Sequence, residues 1–175
     1  MKIKKILCPI DFSEASLKGL KEAINYALHF DAELCLAHVV YNGIPAAADA
    51  VSYLALPPDL FEIPRQNAER KLRELTEELK ACEVRATFAL RAGDAGSEIV
   101  RLADELSVDV IVLATHGWTG WRRILFSSVA ERIVRYTRCP VLTIPVRRRS
   151  RKKIPAKPVL VTPPLGKRKQ LASAA

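Results

Sequence analysis

The sequence predicts a doubly wound α/β domain, in which a five-stranded parallel sheet carries helices on both faces. Short, nearly continuous apolar runs alternate along the chain with segments in which apolar residues recur every three or four positions. Runs of the first kind are typical of strands that are buried on both faces, and segments of the second kind are typical of amphipathic helices. Their regular alternation is the pattern of a Rossmann-like single domain.

Five runs predict the strands of this sheet. They are residues 3–10, 33–40, 84–90, 108–115 and 140–146. The third run alternates between apolar and polar residues, and is therefore expected at an edge. The last run contains Pro140 and Pro145 and is also expected at an edge, because proline cannot donate to a strand ladder.

Four segments predict the helices, with apolar residues at helical spacing in residues 17–28, 68–79, 99–106 and 129–134. Ser13 and Ser128 stand in front of the first and the last of them. A serine hydroxyl there can accept a hydrogen bond from an unpaired amide of the first turn, so both serines are expected to be N-caps.

The charge is divided unevenly between a domain of residues 1–146 and a tail of residues 147–175. The net charge is +9, but the tail holds ten Lys and Arg and no acid, which leaves 18 basic and 19 acidic residues in the domain. The tail also carries four prolines and is expected to be disordered. It could attract nucleic acid, anionic lipid or an acidic partner, or serve only as a solubilising extension.

The composition predicts a cytoplasmic protein without a membrane span. Its four cysteines lack CxxC or metal-ligand spacing, which is typical of reduced thiols. No stretch approaches the roughly 20 apolar residues that cross a bilayer, and the N-terminus does not resemble a signal peptide. Residues 41–63 form a long apolar connection that could fold over a site or a partner.

Candidate ligand-binding residues follow from the predicted topology. Ligands of an open parallel sheet bind beyond the carboxyl ends of the strands, where the direction of the crossovers switches. This rule selects Pro9 and Asp11 after the first strand, Val39 at the end of the second, and residues 114–117 after the fourth.

The segment 114–134, ATHGWTGWRRILFSSVAERIV, is the strongest local signal. It leads from a buried strand through a glycine-containing loop to a helix that two serines precede. Free amides and the positive end of the helix dipole suit phosphate oxygens at such a position. The segment predicts an anion site, with an ordinary serine-capped loop as the alternative.

Several blocks of sequence, in order over residues 1 to about 146, resemble the universal stress protein family. The blocks are ILCPIDFSEAS, LCLAHVV, VIVLATHGWTG, SSVAERIVR and CPVLTIPV. The resemblance implies an ATP-type nucleotide site with at most weak ATPase activity. It also implies a homodimer in which the last strand, near residues 141–144, pairs across the interface and removes an exposed edge.

The resemblance also implies which residues bind the nucleotide. In the nucleotide-binding branch of the family, the loop motif reads Gly, two residues, Gly, nine residues, Gly, then Ser or Thr. Ala114 and Ser127 replace two of these three glycines. Asp11 matches an aspartate near the adenosine, and Val39 a residue whose backbone meets adenine. The implied set is Pro9, Asp11, Val39, Leu113, Ala114, Gly117, Ser127, Ser128 and Val129.

Three functions fit these observations. The first is a stress-response sensor or regulator that binds ATP, with any Mg²⁺ brought by the nucleotide. The second is a dimeric interaction protein that has lost the nucleotide and acts through its surface and basic tail. The third is a flavodoxin-like redox protein, which shares the fold but not the sequence blocks. His38 is expected in the core, and the absence of hydrolase signatures argues against efficient catalysis.

Overall fold

The computed structural model of the chain describes residues 2–41, 62–116, 128–146 and 159–161. Most of the apolar connection 41–63, the loop after the fourth predicted strand, and most of the basic tail lie outside the described residues. Expectations about those segments, and the division into residues 1–146 and 147–175, stay predictions.

The described residues form one sheet of six strands. They are β1 (Lys5–Pro9), β2 (Glu33–Val40), β3 (Ala86–Ala92), β4 (Val110–His116), β5 (Val141–Val146) and β6 (Val159–Val161). Their order is β3-β2-β1-β4-β5-β6. Strands β1 to β5 are parallel to one another, which confirms the predicted five-stranded parallel sheet, and β3 lies at an edge as its alternating pattern predicted.

Helices cover both faces of the sheet, which confirms the doubly wound architecture. They are α1 (Glu14–Phe30), α2 (Glu62–Ala81), α3 (Ala95–Glu105) and α4 (Ser128–Tyr136). The core residues of α1 and α2 pack on one face, and those of α3 and α4 pack on the other.

The two cores follow from the alternation of side chains along each strand. In β1, Ile6 belongs to the core that Leu72 of α2 completes, whereas Leu7 belongs to the core that contains Ile99 of α3 and Ile133 of α4. Each of these side chains is at most 2% exposed. Burying one contributes roughly 1.5–3 kcal/mol, so both helix layers are held mainly by apolar contacts.

The strand order creates a switch point between β1 and β4. From β1 the chain crosses outward to β2 and then β3, and it returns to the other side of β1 for β4 and β5. Crossovers therefore leave the β1–β4 pair in opposite directions, and the loops at the carboxyl ends of these strands separate. The fold thus places the predicted ligand region between β1 and β4.

The strand β6 corrects one expectation. Residues 159–161, the described part of the tail, pair antiparallel with β5, and the disorder expected of the rest of the tail stays a prediction. β5 was expected at the edge, and instead it lies between β4 and β6. The three positions Val141, Leu142 and Thr143, which the resemblance assigned to a homodimer interface, are thus paired within the chain.

The predicted N-caps differ in outcome. Ser13 is the N-cap of α1, and its hydroxyl accepts from the amide of Ser16 at 3.2 Å. Helix α4 begins at Ser128, so this serine is the first helical residue rather than the cap. The residue before it, Ser127, lies outside the described residues.

A cap that the sequence analysis did not identify joins α3 to α4. Asp94 is the N-cap of α3, and its Oδ2 accepts from the amide of Ser97 at 2.8 Å and from Nη1 of Arg132 in α4 at 2.9 Å. The two helices approach closely here, since a Cβ on Gly96 would lie 2.8 Å from the Cβ of Arg132. Asp94 therefore satisfies a helix end and an interhelical contact at once.

We expect Asp94→Ala to lower the free energy of unfolding by about 1–2 kcal/mol at neutral pH, the usual cost of losing such a cap. Hydrogen bonds from Ser97, aided by Arg132, hold the pKa of Asp94 below its usual value. A lowered folded-state pKa stabilises the protein above the unfolded pKa, and this contribution disappears as the pH falls through the folded pKa. Urea unfolding between about pH 7 and pH 3 should show the two proteins converging at low pH.

Asp104→Ala is the matched control, because Asp104 is exposed on the same helix. We expect it to change the free energy of unfolding by no more than about 0.5 kcal/mol. Equal losses for the two variants would contradict the capping role of Asp94.

The four cysteines are free. Cys8 and Cys35 are buried in β1 and β2, as expected, whereas Cys82 is exposed. Burial, with a smaller contribution from Cys35, raises the pKa of Cys8 to about 12, so this thiol stays protonated. Among the described residues, no helix combines the length and apolar character that crossing a membrane requires.

Candidate functional site

The pairing of β1 with β4 stops before the carboxyl ends of the two strands, and the region beyond the last pair is the predicted crevice. The pairing of β1 with β2 continues to Pro9 and Ala37, but its pairing with β4 ends at Leu7 and Ile111. At the opposite end, Asp109 Oδ2 accepts from the amides of the residues that begin β1, at 2.7 and 2.9 Å. The two strands are therefore joined at their amino ends and part toward their carboxyl ends.

Asp11 stands at the rim of this crevice, in the turn between β1 and α1. Its Oδ1 accepts from the amide of Ser13 at 2.9 Å, and its own amide donates to Oγ of Ser16 at 3.3 Å. Ser16 is 9% exposed and belongs to the first turn of α1. The serines hold the turn rigidly while Asp11 itself stays exposed.

The carboxylate of Asp11 is charged at neutral pH. Partial burial acts to raise its pKa, but hydrogen bonds from Ser13 and Ser16 outweigh burial, and the pKa lies below its usual value. A fixed, ionised carboxylate can accept hydrogen bonds from an amine or from sugar hydroxyls. Asp11 also has the structural role of a turn residue, because its carboxylate accepts from the amide of Ser13.

Phe12 and His38 stabilise the same turn. Phe12 has a φ of 61°, a left-handed conformation that a bulky residue keeps only when its surroundings hold it there. Its ring lies 4.9 Å from the ring of His38 and under Nζ of Lys71, 5.3 Å away. Nδ1 of His38 donates to the carbonyl oxygen of Ile10 at 2.7 Å. His38 is thus a partnered, half-buried residue that positions the residues around Asp11.

Three predicted site residues share one face of the sheet. By the alternation of strand residues, Pro9, Val39 and Leu113 all point toward the face that α3 and α4 cover. Leu113 is 5% exposed, and Val39 and Pro9 are half-buried. These residues form an apolar wall at the carboxyl ends of β1, β2 and β4, of the kind that borders a planar ring.

Ala114 points the other way, toward α1. A Cβ on Gly19 of α1 would lie 2.9 Å from the Cβ of Ala114 and 3.0 Å from its amide nitrogen. The methyl group of Ala114 is therefore accommodated by the missing side chain of Gly19. The alanine that replaces the family glycine at position 114 therefore does not project toward the apolar wall, which lies on the other face of the sheet.

Thr115 has a buried hydroxyl that finds no partner among the described residues. Its side chain is 6% exposed, and its Oγ1 makes no hydrogen bond within residues 2–41, 62–116, 128–146 and 159–161. A buried hydroxyl without a hydrogen bond costs free energy. Thr115 lies two residues beyond Leu113 on the same face of β4, and so belongs to the same end of the sheet as the crevice.

The other predicted residues lie where β4 ends and α4 begins. Val129, in the first turn of α4, is 37% exposed. Ser128 is described by its backbone only, and Gly117 and Ser127 lie outside the described residues. The structure therefore brings Pro9, Asp11, Val39 and Leu113 to the carboxyl ends of the parallel strands. The predicted phosphate-binding loop, residues 117–127, lies outside the described residues.

Sequence reasoning did not single out Ser16 or the unpaired state of Thr115. The spacing of Asp11, Ser13 and Ser16 was a usable signal for Ser16, since serines two and five residues after an aspartate can close a turn upon it. No signal in the sequence distinguishes a paired threonine from an unpaired one.

The fold is that of a doubly wound α/β protein, and its switch point lies between β1 and β4. A family model described as the universal stress protein family matches residues 2–145. The chain therefore belongs to the universal stress protein family.

Known relatives agree with this assignment. Universal stress protein MJ0531 of Methanocaldococcus jannaschii is 37% identical over 145 residues, 81% of this chain and 81% of the relative. The solved structure of MJ0577, from the same organism, has a TM-score of 0.69 and 26% identity, covering 85% of this chain and all of that one. A universal stress protein from Archaeoglobus fulgidus in complex with dAMP has a TM-score of 0.55 and 18% identity, covering 82% of this chain and 98% of that one.

Proposed function

We propose that this chain is a cytoplasmic stress-response regulator that binds an ATP-type adenine nucleotide in the crevice between β1 and β4. The observation that supports it best is the buried Oγ1 of Thr115, which is unpaired among the described residues, beside the crevice whose rim carries Asp11. The relative that is solved with dAMP lends support to an adenine nucleotide as the ligand.

Each described residue has a role in this proposal. Pro9, Val39 and Leu113 border the adenine ring, because their apolar wall excludes water from its faces. Asp11 accepts a hydrogen bond from the sugar or from the adenine amine, which gives selectivity that apolar walls lack. Thr115 donates to or accepts from the bound nucleotide through its free hydroxyl.

The phosphates lie, in this proposal, against Gly117, Ser127 and the first turn of α4 at Ser128 and Val129. The positive end of the α4 dipole favours phosphate there. An alanine at position 114 is compatible with nucleotide binding in this proposal, because it packs against Gly19 and its methyl group points away from the apolar wall. Mg²⁺ arrives with the ATP, and hydrolysis is at most slow, because the sequence lacks the signatures of nucleotide hydrolases.

The test is calorimetric titration of ATP with Mg²⁺ into the full chain, after acid extraction to find any nucleotide that co-purifies. We expect saturable binding, and Asp11→Ala should weaken it by about ten- to a hundredfold, the effect of losing a hydrogen bond to a charged group. Asp11→Asn retains an acceptor for the amide of Ser13, and so separates loss of charge from loss of the turn.

Asp104→Ala is the matched control, since it removes an exposed carboxylate near the C-terminal end of α3, before the amino end of β4, whereas the crevice lies at the carboxyl ends of the strands. Its affinity should equal that of the parent. Absence of both binding and extracted nucleotide would overturn the nucleotide proposal. Equal affinities of the parent and both Asp11 variants would overturn the role of Asp11 only.

The proposed assembly is a homodimer that forms through the edge of β5 near Val141 to Ile144.

The second candidate function is a dimeric interaction protein that acts without nucleotide. The ten basic residues of the tail favour it, because they can recruit nucleic acid or an acidic partner. A chain that binds no nucleotide but binds a polyanion in a salt-dependent manner would support this second function.

A further inference from the structure

The edge of β5 is occupied by a segment of the same chain. Cα partners across the pair are Val141 with Val161, Leu142 with Leu160, and Thr143 with Val159. This pair is antiparallel, whereas every other pair in the sheet is parallel. The segment returns to β5 after the connection of residues 147–158.

The two paired segments have nearly the same sequence. Residues 140–145 read PVLTIP and residues 158–163 read PVLVTP, so four of the six positions are identical. Leu142 and Leu160 are equivalent in the two segments. The second segment therefore repeats the sequence of the strand that it pairs with.

The pairing has the local symmetry of a dimer. Leu142 lies opposite its equivalent, Leu160. On either side of this pair, Val141 lies opposite the equivalent of Thr143, and Thr143 lies opposite the equivalent of Val141. Two copies of β5 related by a two-fold axis through Leu142 would pair in this way, because an isologous contact matches each residue i to j and j to i.

We propose that residues 159–161 form a built-in cap that takes, within the chain, the position that β5 of a second copy takes in the homodimer. This inference rests on the dimer in the proposed function and does not depend on nucleotide binding. The cap and the second copy compete for one row of backbone amides and carbonyls, so β5 pairs with only one of them at a time.

Chain connectivity favours the cap at low protein concentration. A tethered segment acts at an effective concentration of about millimolar when the connection is short and flexible, whereas a second copy acts at the actual protein concentration. With the two-fold axis through Leu142, residues 141–143 of a second copy would lie opposite residues 141–143 of β5, so the cap and the second copy offer strand segments of the same length. The second copy therefore competes with the cap through its concentration. Dimerisation is therefore weakened by the cap but not abolished.

The test uses the full chain with the double substitution Val159→Pro/Leu160→Pro. Amides of consecutive strand residues point to opposite sides, so one of the two prolines always removes an amide that faces β5. Sedimentation equilibrium gives the monomer–dimer Kd, and we expect it to be at least about tenfold lower in the variant than in the parent. Amide exchange of Val141 and Thr143, which alternate with the β4-facing Leu142, reports the pairing directly: these two amides are protected in the parent monomer and exchange faster in the variant monomer.

The control is Lys169→Pro/Gln170→Pro, which places two prolines in the same tail outside β6 and should leave Kd unchanged. Dimers of equal Kd in parent and variant would overturn the cap. Monomers in both at all concentrations would overturn the dimer, and the proposal with it, while leaving the nucleotide proposal intact. Weaker association of the variant would mean that β6 supports assembly, which is the opposite of the proposal.

Discussion

Gly19→Val is expected to lower the free energy of unfolding by about 2–3 kcal/mol, as overpacking of a tight contact does. The Cβ of the valine alone would lie 2.9 Å from the Cβ of Ala114 and 3.0 Å from its amide nitrogen. Neither atom is the end of a flexible side chain, so α1 must shift away from β4. The better helix propensity of valine over glycine offsets only a few tenths of a kcal/mol. Urea unfolding measures the loss.

Lys21→Val is the control on the same helix, because Lys21 is exposed and has no such neighbour. It should cost about 0.5 kcal/mol or less. A double-mutant cycle with Ala114→Gly tests the contact itself: removal of the methyl group should restore part of the stability, with a coupling of about 1 kcal/mol. Equal stabilities of the position-19 and position-21 variants would show that α1 does not approach β4 this closely.

Leu72→Ala is expected to lower the free energy of unfolding by about 3 kcal/mol. Leu72 is fully buried and is the point where α2 enters the core that it shares with Ile6 and Leu34. Removing its branched end loses apolar burial and leaves a cavity, because the neighbouring strand is held in place by its own ladder. Chemical denaturation of the two proteins, compared at equal m-values, gives the difference.

Leu28→Ala provides the same substitution at an exposed site. Leu28 lies on α1 and is 54% exposed, so we expect a loss of no more than about 0.5–1 kcal/mol. Similar losses at positions 28 and 72 would contradict the docking of α2 through Leu72.

The parallel sheet could be predicted because its strands carry their own signal. The run that contains β4 is continuously apolar over residues 110–114, as is typical of strands buried on both faces. β6 could not be predicted in this way, since three apolar residues among prolines and lysines have no periodicity to detect. Its likeness to residues 140–145 becomes informative only when β5 is known to lie beside it.

The candidate site was predictable to the same extent. The rule for open sheets placed Pro9, Asp11 and Val39 together, because it depends on strand ends and not on side-chain detail. Leu113 was added only by the family resemblance. The direction of Ala114 depends on which face of β4 it occupies and on a glycine 95 positions earlier in the chain, and no local pattern links the two. Ser128 was predicted to be the residue before its helix, but it is the first residue of the helix. Errors of one residue are usual where a helix begins.

The parting of β1 from β4 makes the crevice a preorganised one. Hydrogen bonds from the amides of Lys4 and Lys5 to Asp109 join the two strands at their amino ends. The pairing of β1 with β4 ends at Leu7 and Ile111. A ligand that enters beyond this point breaks no strand pairing and orders no new strand. If the nucleotide binds as proposed, its affinity is therefore not reduced by a cost of reorganising the sheet.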